Sequence, residues 1–525
     1  MNARMILSTC MLITAGTLAT AAAAGPDRQR VEVAALPKIA EVDPRFQSYN
    51  IEMAEIVGGR FWAPYPKPGA SAVPENTQGS GGLNLASNLF RQRPPADLTN
   101  PRLLNMAKGL GPVYIRVSGS WANAIFFQDD DLPKLAAPPK GFANVLTRRQ
   151  WAGVVAFANA VDGRLTTSFA VSDGARDSSG AWSPVEARKL LRYTREIGGQ
   201  VHSAELINEP NLGAVSGLPA GYNAANFARD LAIFRGFITR EAPSLKIVGP
   251  GSSGEEDGKG PFPDNIASEA MLGTQPAAKL DIFSYHFYGA RSQRCQKMSP
   301  GTGIAPENAL SEDWLSRTDR ALAFYKRLHD RYAPEIPIWL NETAQTSCGG
   351  DKWASSFLDS FRYVDQMGRL AKQGVSAVFH NTLAASDYGL IDEATMTPRP
   401  NYWAALLWAR LMGPVVLDAG PQQTGLHVYA HCLRGGRGGG VALAAINLSQ
   451  TATTTLSLPS RVHRYTLSAD DLKAETVRLN GSALALDGDR LPAMRPTASR
   501  AGEVTLPSAS ITFLAMPSAG NKSCR

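Results

Sequence analysis

The chain has few cysteines and no long apolar run beyond its N-terminus. Five of the 525 residues are cysteine, and no two of them form a C-x-x-C pair. The seven histidines are scattered along the chain, so a zinc site has little support. No run of about 18 or more apolar residues follows the N-terminal segment, which argues against a transmembrane helix and against stable membrane insertion.

The chain also lacks any concentration of charge. The net charge is +7, from 53 basic and 46 acidic residues, and the basic residues form no block or basic helix. This distribution argues against a nucleic-acid partner. A mild positive field suits an acidic substrate, and it equally suits a merely solubilising surface. The hydrophobic fraction of 44% excludes wholesale disorder.

The N-terminus has the pattern of a secretory signal peptide. Arg4 is followed by an apolar stretch over 5–18 and by Ala22-Ala23-Ala24, a small-residue cleavage site. We therefore predict a signal peptide over 1–24 and a secreted or periplasmic protein. The four cysteines that remain favour disulfides in such a compartment, although their spacing alone leaves three pairings open.

Short apolar runs alternate with amphipathic segments between residues 46 and 411. Eight runs are predicted as strands, at 46–53, 113–117, 165–171, 204–208, 246–249, 282–285, 338–341 and 376–380. Strand–helix alternation predicts a parallel sheet, and eight repeats predict an α/β fold closed into a (β/α)8 TIM barrel. An open doubly wound sheet is the alternative, but no G-x-G-x-x-G turn follows the first strand.

The pattern of the sequence changes near residue 412. Short alternating strands separated by Gly, Asn and Asp turns predict a C-terminal β-sandwich over 412–525. The segment 25–45, which precedes the barrel, is predicted to add a strand to this sandwich, because chain termini often lie close together.

Two carboxylates follow predicted strands four and seven. Glu209 stands in Asn208-Glu209-Pro210, and Glu342 stands in Asn341-Glu342-Thr343. In a barrel of this kind both would reach the mouth at the C-terminal ends of the strands. Two facing carboxylates are the machinery of glycoside hydrolysis. A lone glutamate after a strand could instead cap a helix, but the pair in this architecture favours catalysis.

Other polar and aromatic residues lie near the ends of predicted strands. Asn208 suits a hydrogen bond to a sugar 2-hydroxyl. His286 and Tyr288 on strand six could orient the nucleophile or stack on the sugar, although a core histidine is the alternative. Glu52 could accept hydrogen bonds from sugar hydroxyls or form a structural ion pair. Trp121 could be a sugar platform or loop packing.

In these residues and in several longer motifs, the chain resembles the heparanase and β-glucuronidase group, glycoside hydrolase family 79. The resemblance covers most of the chain beyond the signal peptide. It runs through the segments 100–104, 110–116, 208–211, 285–288, 341–343, 348–350, 387–390, 400–403, 428–432 and 445–448.

The resemblance implies a retaining hydrolase on a (β/α)8 barrel with a C-terminal β-sandwich. By matching motif, Glu209 is the acid/base and Glu342 is the nucleophile. In the family, a Gly-Gly pair and a tyrosine hold the carboxylate of the uronic acid, and the matching positions are Gly349, Gly350 and Tyr388. Glycine lets the main chain approach a ligand closely, and amide donors bind anions well. Without the resemblance, Gly-Gly would indicate only a flexible loop.

The resemblance also bears on the disulfides and on a linker. Cys432–Cys524 matches a sandwich disulfide of the relatives. Cys295–Cys348 would tie together the loops after strands six and seven, where the family usually has a tyrosine in place of Cys348. Animal heparanases carry a long excised linker after the second strand, whereas this chain has only the short stretch 128–145. That departure implies a single chain with no proteolytic activation.

The sequence therefore predicts a retaining glycoside hydrolase that cleaves β-linked glucuronic acid in heparan sulfate-like glycosaminoglycans, in the endo manner of a heparanase. An exo-β-glucuronidase acting on smaller glucuronides and a related glycosidase of neutral sugars are the alternatives. A non-enzymatic carbohydrate-binding protein is disfavoured because both carboxylates are present. We expect a monomer with an acidic polysaccharide or glucuronide as substrate, and no metal or organic cofactor is implied.

Overall fold

A computed structural model describes residues 28–66, 89–256, 260, 262, 264–275, 277–296 and 301–525. The predicted signal peptide, residues 1–24, lies outside the described residues. In chain order the strands are β1 (Arg28–Arg30), β2 (Lys38–Glu41), β3 (Gln47–Glu52), β4 (Gly59–Trp62), β5 (Phe90–Arg93), β6 (Val113–Ser118), β7 (Ile125–Gln128), β8 (Asn144–Thr147), β9 (Gly163–Ser168), β10 (Val201–Glu205), β11 (Lys246–Ser253), β12 (Ile282–Tyr288), β13 (Ile338–Ala344), β14 (Ala377–His380), β15 (Ile391–Asp392), β16 (Thr397–Pro398), β17 (Met412–Leu417), β18 (Leu426–Leu433), β19 (Val441–Asn447), β20 (Thr454–Leu458), β21 (Val462–Ser468), β22 (Arg478–Leu479), β23 (Ser482–Ala483), β24 (Thr497–Ser499), β25 (Gly502–Leu506) and β26 (Ser510–Met516).

The helices lie mainly between the strands of the first part of the chain. They are α1 (Met53–Val57), α2 (Pro101–Leu110), α3 (Arg148–Ala160), α4 (Val185–Glu196), α5 (Ala224–Glu241), α6 (Ser268–Leu272), α7 (Glu312–Tyr332), α8 (Phe357–Lys372) and α9 (Pro400–Leu411). Local sequence sets their starts. At α2, for example, the Asn100 side chain accepts hydrogen bonds from the first-turn amides and Pro101 occupies the first helical position.

Eight parallel strands close into a barrel in the order β3, β6, β9, β10, β11, β12, β13, β14, and β14 pairs with β3. Each of the eight predicted strands overlaps one of these, which confirms the barrel prediction. The barrel strands β3, β6 and β13 are buried on both faces, as parallel strands under a helical layer must be. They therefore bury polar side chains together with apolar ones.

The C-terminal part forms two sheets that pack as a sandwich. The larger sheet runs β2-β17-β18-β19-β26-β21-β22-β23, with β24 also paired to β21, and the smaller one runs β1-β20-β25. The segment before the barrel contributes one strand to each sheet rather than a single strand. A turn between β1 and β2 carries the chain from one sheet to the other, and the Asn521 side chain fastens this turn by donating to the carbonyls of Val33 and Leu36.

The sandwich packs on barrel helix α8 through a buried polar network. Asp365 of α8 accepts hydrogen bonds at 2.5 Å from Nδ1 of His427 and from the hydroxyl of Tyr429, both on β18. Gly368 lies directly under the Tyr429 ring, where a Cβ would come within 2.2 Å of ring carbon Cγ. These contacts fasten the sandwich to the helical layer of the barrel. Across the described residues, no helix is both long and apolar enough to cross a membrane.

Candidate active site

A cleft of about 660 Å³ opens at the C-terminal ends of the barrel strands. Its lining includes several of the residues identified in the sequence and others that were not, of which Asn381 bears on the chemistry. Among the first are Glu52, Trp121, Asn208, Glu209, Tyr288, Glu342 and Tyr388.

Glu209 stands four residues beyond the end of β10, where the chain turns sharply. Its backbone is left-handed, with φ 48° and ψ 57°, and a short 3₁₀ helix begins at Pro210. A non-glycine residue in this region is strained, and the surrounding contacts hold it there. The Glu209 carbonyl accepts hydrogen bonds from the amide of Leu212 and from the hydroxyl of Ser216. The turn directs the carboxyl group into the cleft.

Glu342 lies within β13, opposite His286 of the neighbouring β12 in the strand register. Its carboxylate is buried and held at both oxygens. Oε1 accepts a hydrogen bond from the Tyr288 hydroxyl at 2.8 Å, and Oε2 accepts one from Nη1 of Arg116 at 2.8 Å. These two donors fix the plane of the carboxylate.

Glu209, Glu342 and His286 come together at the centre of the cleft floor. One side-chain oxygen of each glutamate and one ring nitrogen of His286 lie within 4.8 Å of one another. Nδ1 of His286 is 3.1 Å from Oε1 of Glu209 and 3.7 Å from Oε2 of Glu342. His286 is fully buried beneath the carboxylates, so it can orient them but cannot stack on a sugar.

The same three groups have distances that a metal ion could bridge. Burial lowers the pKa of His286, but Glu342 and hydrogen bonds to Glu205 and Glu209 raise it to about 9. This shift favours the protonated imidazole as a hydrogen-bond donor to the carboxyl groups, and a metal ion would have to displace that proton.

An ion pair that was not predicted from the sequence lies under the site. Arg116 of β6 and Glu205 of β10 are both buried, and Nη2 of Arg116 is 2.8 Å from Oε2 of Glu205. Asn341 also donates to Glu205. Burial alone would raise the pKa of Glu205, but Arg116 and His286 hold it at about 2. Arg116 therefore lies between the carboxyl groups of Glu205 and Glu342.

Asn208 is held rigidly on this ion pair. Its Oδ1 accepts from Nη2 of Arg116 at 2.6 Å, and its Nδ2 donates to the Ser120 hydroxyl at 3.2 Å. The backbone of Asn208 is bonded in both directions to the side chain of Asn123. An amide fixed in this way presents a constant hydrogen-bonding edge beside Glu209.

Glu52 ends β3 and lines the cleft, but it forms no salt bridge with any residue that the structure describes. Burial and the charge of Glu342 raise its pKa well above the ordinary value, and Arg116 opposes them only in part. Gly119, at φ 92°, makes room for this side chain, since a Cβ there would lie 1.7 Å from Oε2 of Glu52. Trp121 lines the cleft and also packs edge-on against Phe61 and Phe90, so it takes part in loop packing.

The loops after β12 and β13 are joined by the Cys295–Cys348 disulfide, and Cys432–Cys524 is also bonded in the sandwich. Gly349 and Gly350 follow directly, both at φ 83°. Both glycines are buried, and Gly350 lies beside Tyr388, which lines the cleft, although the glycines themselves do not line it. A Cβ on Gly349 would come within 2.6 Å of the Trp62 and Ser386 side chains.

A wall of loop contacts lies behind Gly349, next to the cleft. The Tyr65 amide donates to the Asp387 carboxylate, and the Tyr65 hydroxyl accepts from the Arg294 amide at 3.2 Å. Arg294 also stacks over the Tyr65 ring at 4.1 Å and donates to Asp387 at 2.5 Å. These contacts join the loops that follow β3, β12 and β14. Neither the wall nor Arg116, Glu205 and Asn381 was identified in the sequence as part of the site.

A family model described as glycosyl hydrolase family 79, N-terminal domain, matches residues 95–368. The chain is 26% identical over 409 residues to heparanase-like protein 1 of Arabidopsis thaliana, covering 73% of this chain and 70% of that protein. It is also 26% identical over 509 residues to heparanase of Gallus gallus, covering 84% and 92%. Among solved structures, a 4-O-alpha-L-rhamnosyl-beta-D-glucuronidase from Fusarium oxysporum 12S aligns with a TM-score of 0.63 at 14% identity, over 93% of this chain and all of that one, which shows a shared fold.

Proposed function

This chain belongs to glycosyl hydrolase family 79 and is a glycoside hydrolase of the heparanase type, and on that premise we propose that it cleaves β-linked glucuronic acid in heparan sulfate-like glycosaminoglycans with retention of configuration. The observation that carries the proposal is the pair of carboxylates, Glu209 and Glu342, whose nearest oxygens lie within 4.8 Å in the cleft. Retaining glycosidases place their carboxyl groups about 5–5.5 Å apart, whereas inverting enzymes need more room for a water molecule.

The chemistry proceeds in two displacements. Glu342 attacks C1 of the glucuronic acid and the glycosidic C1–O bond breaks, while Glu209 gives its proton to the leaving oxygen. Glu209 then takes a proton from water, the water oxygen bonds to C1, and Glu342 is released. Tyr288 and Arg116 hold the Glu342 carboxylate in plane, and His286 orients Glu209. Asn208 is placed to bind the 2-hydroxyl, and Glu52 another hydroxyl.

The substrate carboxylate is proposed to lie beside Tyr388, Gly349 and Gly350. Among the hydrogen bonds formed by the described residues, none is donated by the amides of the two glycines. Backbone amides without partners are suited to an anion, and the positive φ values of this turn favour glycine. A neutral sugar would leave these donors unpaired, which supports the glucuronide over the neutral-sugar alternative.

The test compares chromogenic β-glucuronide, β-xyloside and β-glucoside, and follows the first-formed anomer by NMR. We expect the glucuronide to be hydrolysed best and the β-anomer to appear first. The E342Q variant should lose turnover but retain binding, whereas E335Q, at an exposed glutamate outside the cleft, should match the wild type. Preference for the xyloside would reject the glucuronide assignment.

The wall described above favours a second candidate, the exo mode of cleavage. Since Glu209 protonates the leaving group, the aglycone lies on its side of the cleft, which is lined by loop residues such as Leu212, Val215 and Phe262. On this proposal the Tyr65–Arg294–Asp387 contacts, which lie behind Gly349, close the opposite side and leave less room for a sugar beyond the glucuronic acid. Sizing the products of heparan sulfate digestion separates the modes: an early fall in mean chain length indicates endo action, and released monosaccharide indicates exo action.

We also propose that the protein is exported and that it is a monomer. Two disulfides are compatible with an oxidising compartment such as the periplasm or the exterior. Mass spectrometry of the N-terminus of the mature protein tests cleavage after Ala24, and light scattering tests the monomer.

A further inference from the structure

Asn381 connects two phenols in the cleft. It follows β14 directly, and its backbone amide donates to the carbonyl of Thr343, the neighbour of Glu342. Its side-chain Nδ2 donates to the hydroxyls of Tyr288 at 3.0 Å and Tyr388 at 3.2 Å. Since Tyr288 donates to Oε1 of Glu342, hydrogen bonds run without interruption from Tyr388 to the nucleophile.

The direction of each hydrogen bond in this series follows from Tyr288, although the side chain of Asn381 also forms a hydrogen bond with the Glu52 carboxyl group. A phenol has a single hydrogen, and Tyr288 commits its hydrogen to the Glu342 carboxylate. Tyr288 must therefore accept from Asn381, which fixes the amide with its nitrogen toward both phenols. Tyr388 accepts from the same nitrogen, so its own hydrogen remains to be donated. The structure describes no acceptor for that hydrogen, and Tyr388 lines the cleft.

The series is buried enough to act as one unit. Asn381 is 2% exposed and Tyr388 is 1% exposed. Burial, together with neighbouring charges, raises the pKa of Tyr288 and of Tyr388, so both phenols keep their hydrogens. In surroundings of low dielectric constant, hydrogen bonds that share atoms strengthen one another.

We propose that Asn381 is a positioning residue that couples recognition of the substrate carboxylate at Tyr388 to the alignment of Glu342 through Tyr288. A carboxylate that accepts the Tyr388 hydrogen makes that oxygen a better acceptor for Asn381. The bond then holds Asn381, and through it Tyr288 and the Glu342 carboxylate, in the attacking geometry. A neutral sugar offers Tyr388 no charged acceptor and leaves the series looser. Selection for glucuronides therefore appears in kcat as well as in KM. This inference rests on the proposed glucuronidase function.

The experiment measures kcat and KM for N381L on matched p-nitrophenyl β-glucuronide and β-glucoside. Leucine has the shape of asparagine but lacks the donor. We expect kcat on the glucuronide to fall by about 10- to 100-fold, the effect of losing a hydrogen bond to a charged system, with a smaller change in its KM. The glucoside kcat should change far less. Y388F should raise the glucuronide KM and lower its kcat, and the double variant should be no worse in kcat than the more damaged single one.

Controls separate this role from a structural one. N401A removes a different buried amide, which bonds to Asp359 and Ser360 outside the cleft, and should leave the ratio of glucuronide to glucoside kcat unchanged. If N381L does not fold, N381D removes the same donors in a side chain of the same shape. An equal loss of kcat on both substrates, or additive losses in the double variant, would overturn the coupling. Equal activity of the wild type on both substrates would overturn the proposed function, and the coupling with it.

Discussion

Nδ1 of His286 lies 3.1 Å from Oε1 of Glu209, and this hydrogen bond ties the floor of the cleft to the carboxyl group at its edge. The imidazole is fully buried, and it is faced by the carboxyl groups of Glu205, Glu209 and Glu342 and by the guanidinium of Arg116.

The raised pKa of His286 leads us to expect that the free energy of unfolding depends on pH. The pKa of His286 rises from 6.5 to about 9 on folding, because the attraction of Glu342, Glu205 and Glu209 outweighs burial. Since the folded state binds the proton more tightly, the stabilisation is fully present below pH about 6.5 and is lost as the pH rises through about 9. Denaturant unfolding from pH 5 to 9.5 should show this loss in the wild type. The slope should be smaller in H286Q, and identical slopes would contradict the assignment.

Removal of Arg116 should be strongly destabilising. R116L would leave Glu205 buried without its cation, and breaking a buried ion pair typically costs about 3–5 kcal/mol. It should also abolish turnover, since Nη1 holds Oε2 of Glu342. The matched control is R102A, which breaks a half-exposed pair with Asp489 and should cost at most about 1 kcal/mol. Equal free energies of unfolding for the two variants would reject this account.

Gly349 should tolerate no side chain. Alanine at φ 83° is strained, and its Cβ would also lie within 2.6 Å of the Ser386 and Trp62 side chains. Gly180 has a similar φ of 77° but open space around it, so G180A isolates the backbone strain of about 1–2 kcal/mol. G349A should lose more stability than G180A in chemical denaturation, and it alone should lower kcat/KM on the glucuronide. Full activity of G349A would exclude a role for this turn in binding.

Loss of the two disulfides should have different effects on thermal stability and on activity. Each closes a long loop, of 53 residues for Cys295–Cys348 and 92 for Cys432–Cys524, and each contributes about 4–5 kcal/mol if the unfolded chain is the part constrained. C295A/C348A should lower both the thermal midpoint and kcat/KM, since this bond joins two loops at the cleft. C432A/C524A should lower only the midpoint. Reversed effects on activity would contradict the assignment of the first bond to the cleft.

The residues missed in the sequence share a physical cause. Arg116 stands within the apolar strand β6, and a buried arginine needs a partner, so it was itself a signal that could have been followed. Glu205 precedes the Asn208-Glu209 motif, and no local feature of the sequence distinguishes it. Asn381 follows β14 without a neighbouring motif. Their roles depend on strands that are far apart in the sequence.

The sequence by itself determined the barrel, because eight apolar runs of strand length alternating with amphipathic helices can bury their surfaces in few other ways. It also indicated the carboxylate pair, because a glutamate directly after a predicted strand is a local feature, although the structure places Glu342 within β13 and Glu209 four residues beyond β10. Only the tertiary structure decided which groups surround that pair. The register of β12 against β13 places His286 beside Glu342, and barrel closure brings Arg116 onto Glu205. The environment of a buried charge is set by packing between distant segments, which no local pattern encodes.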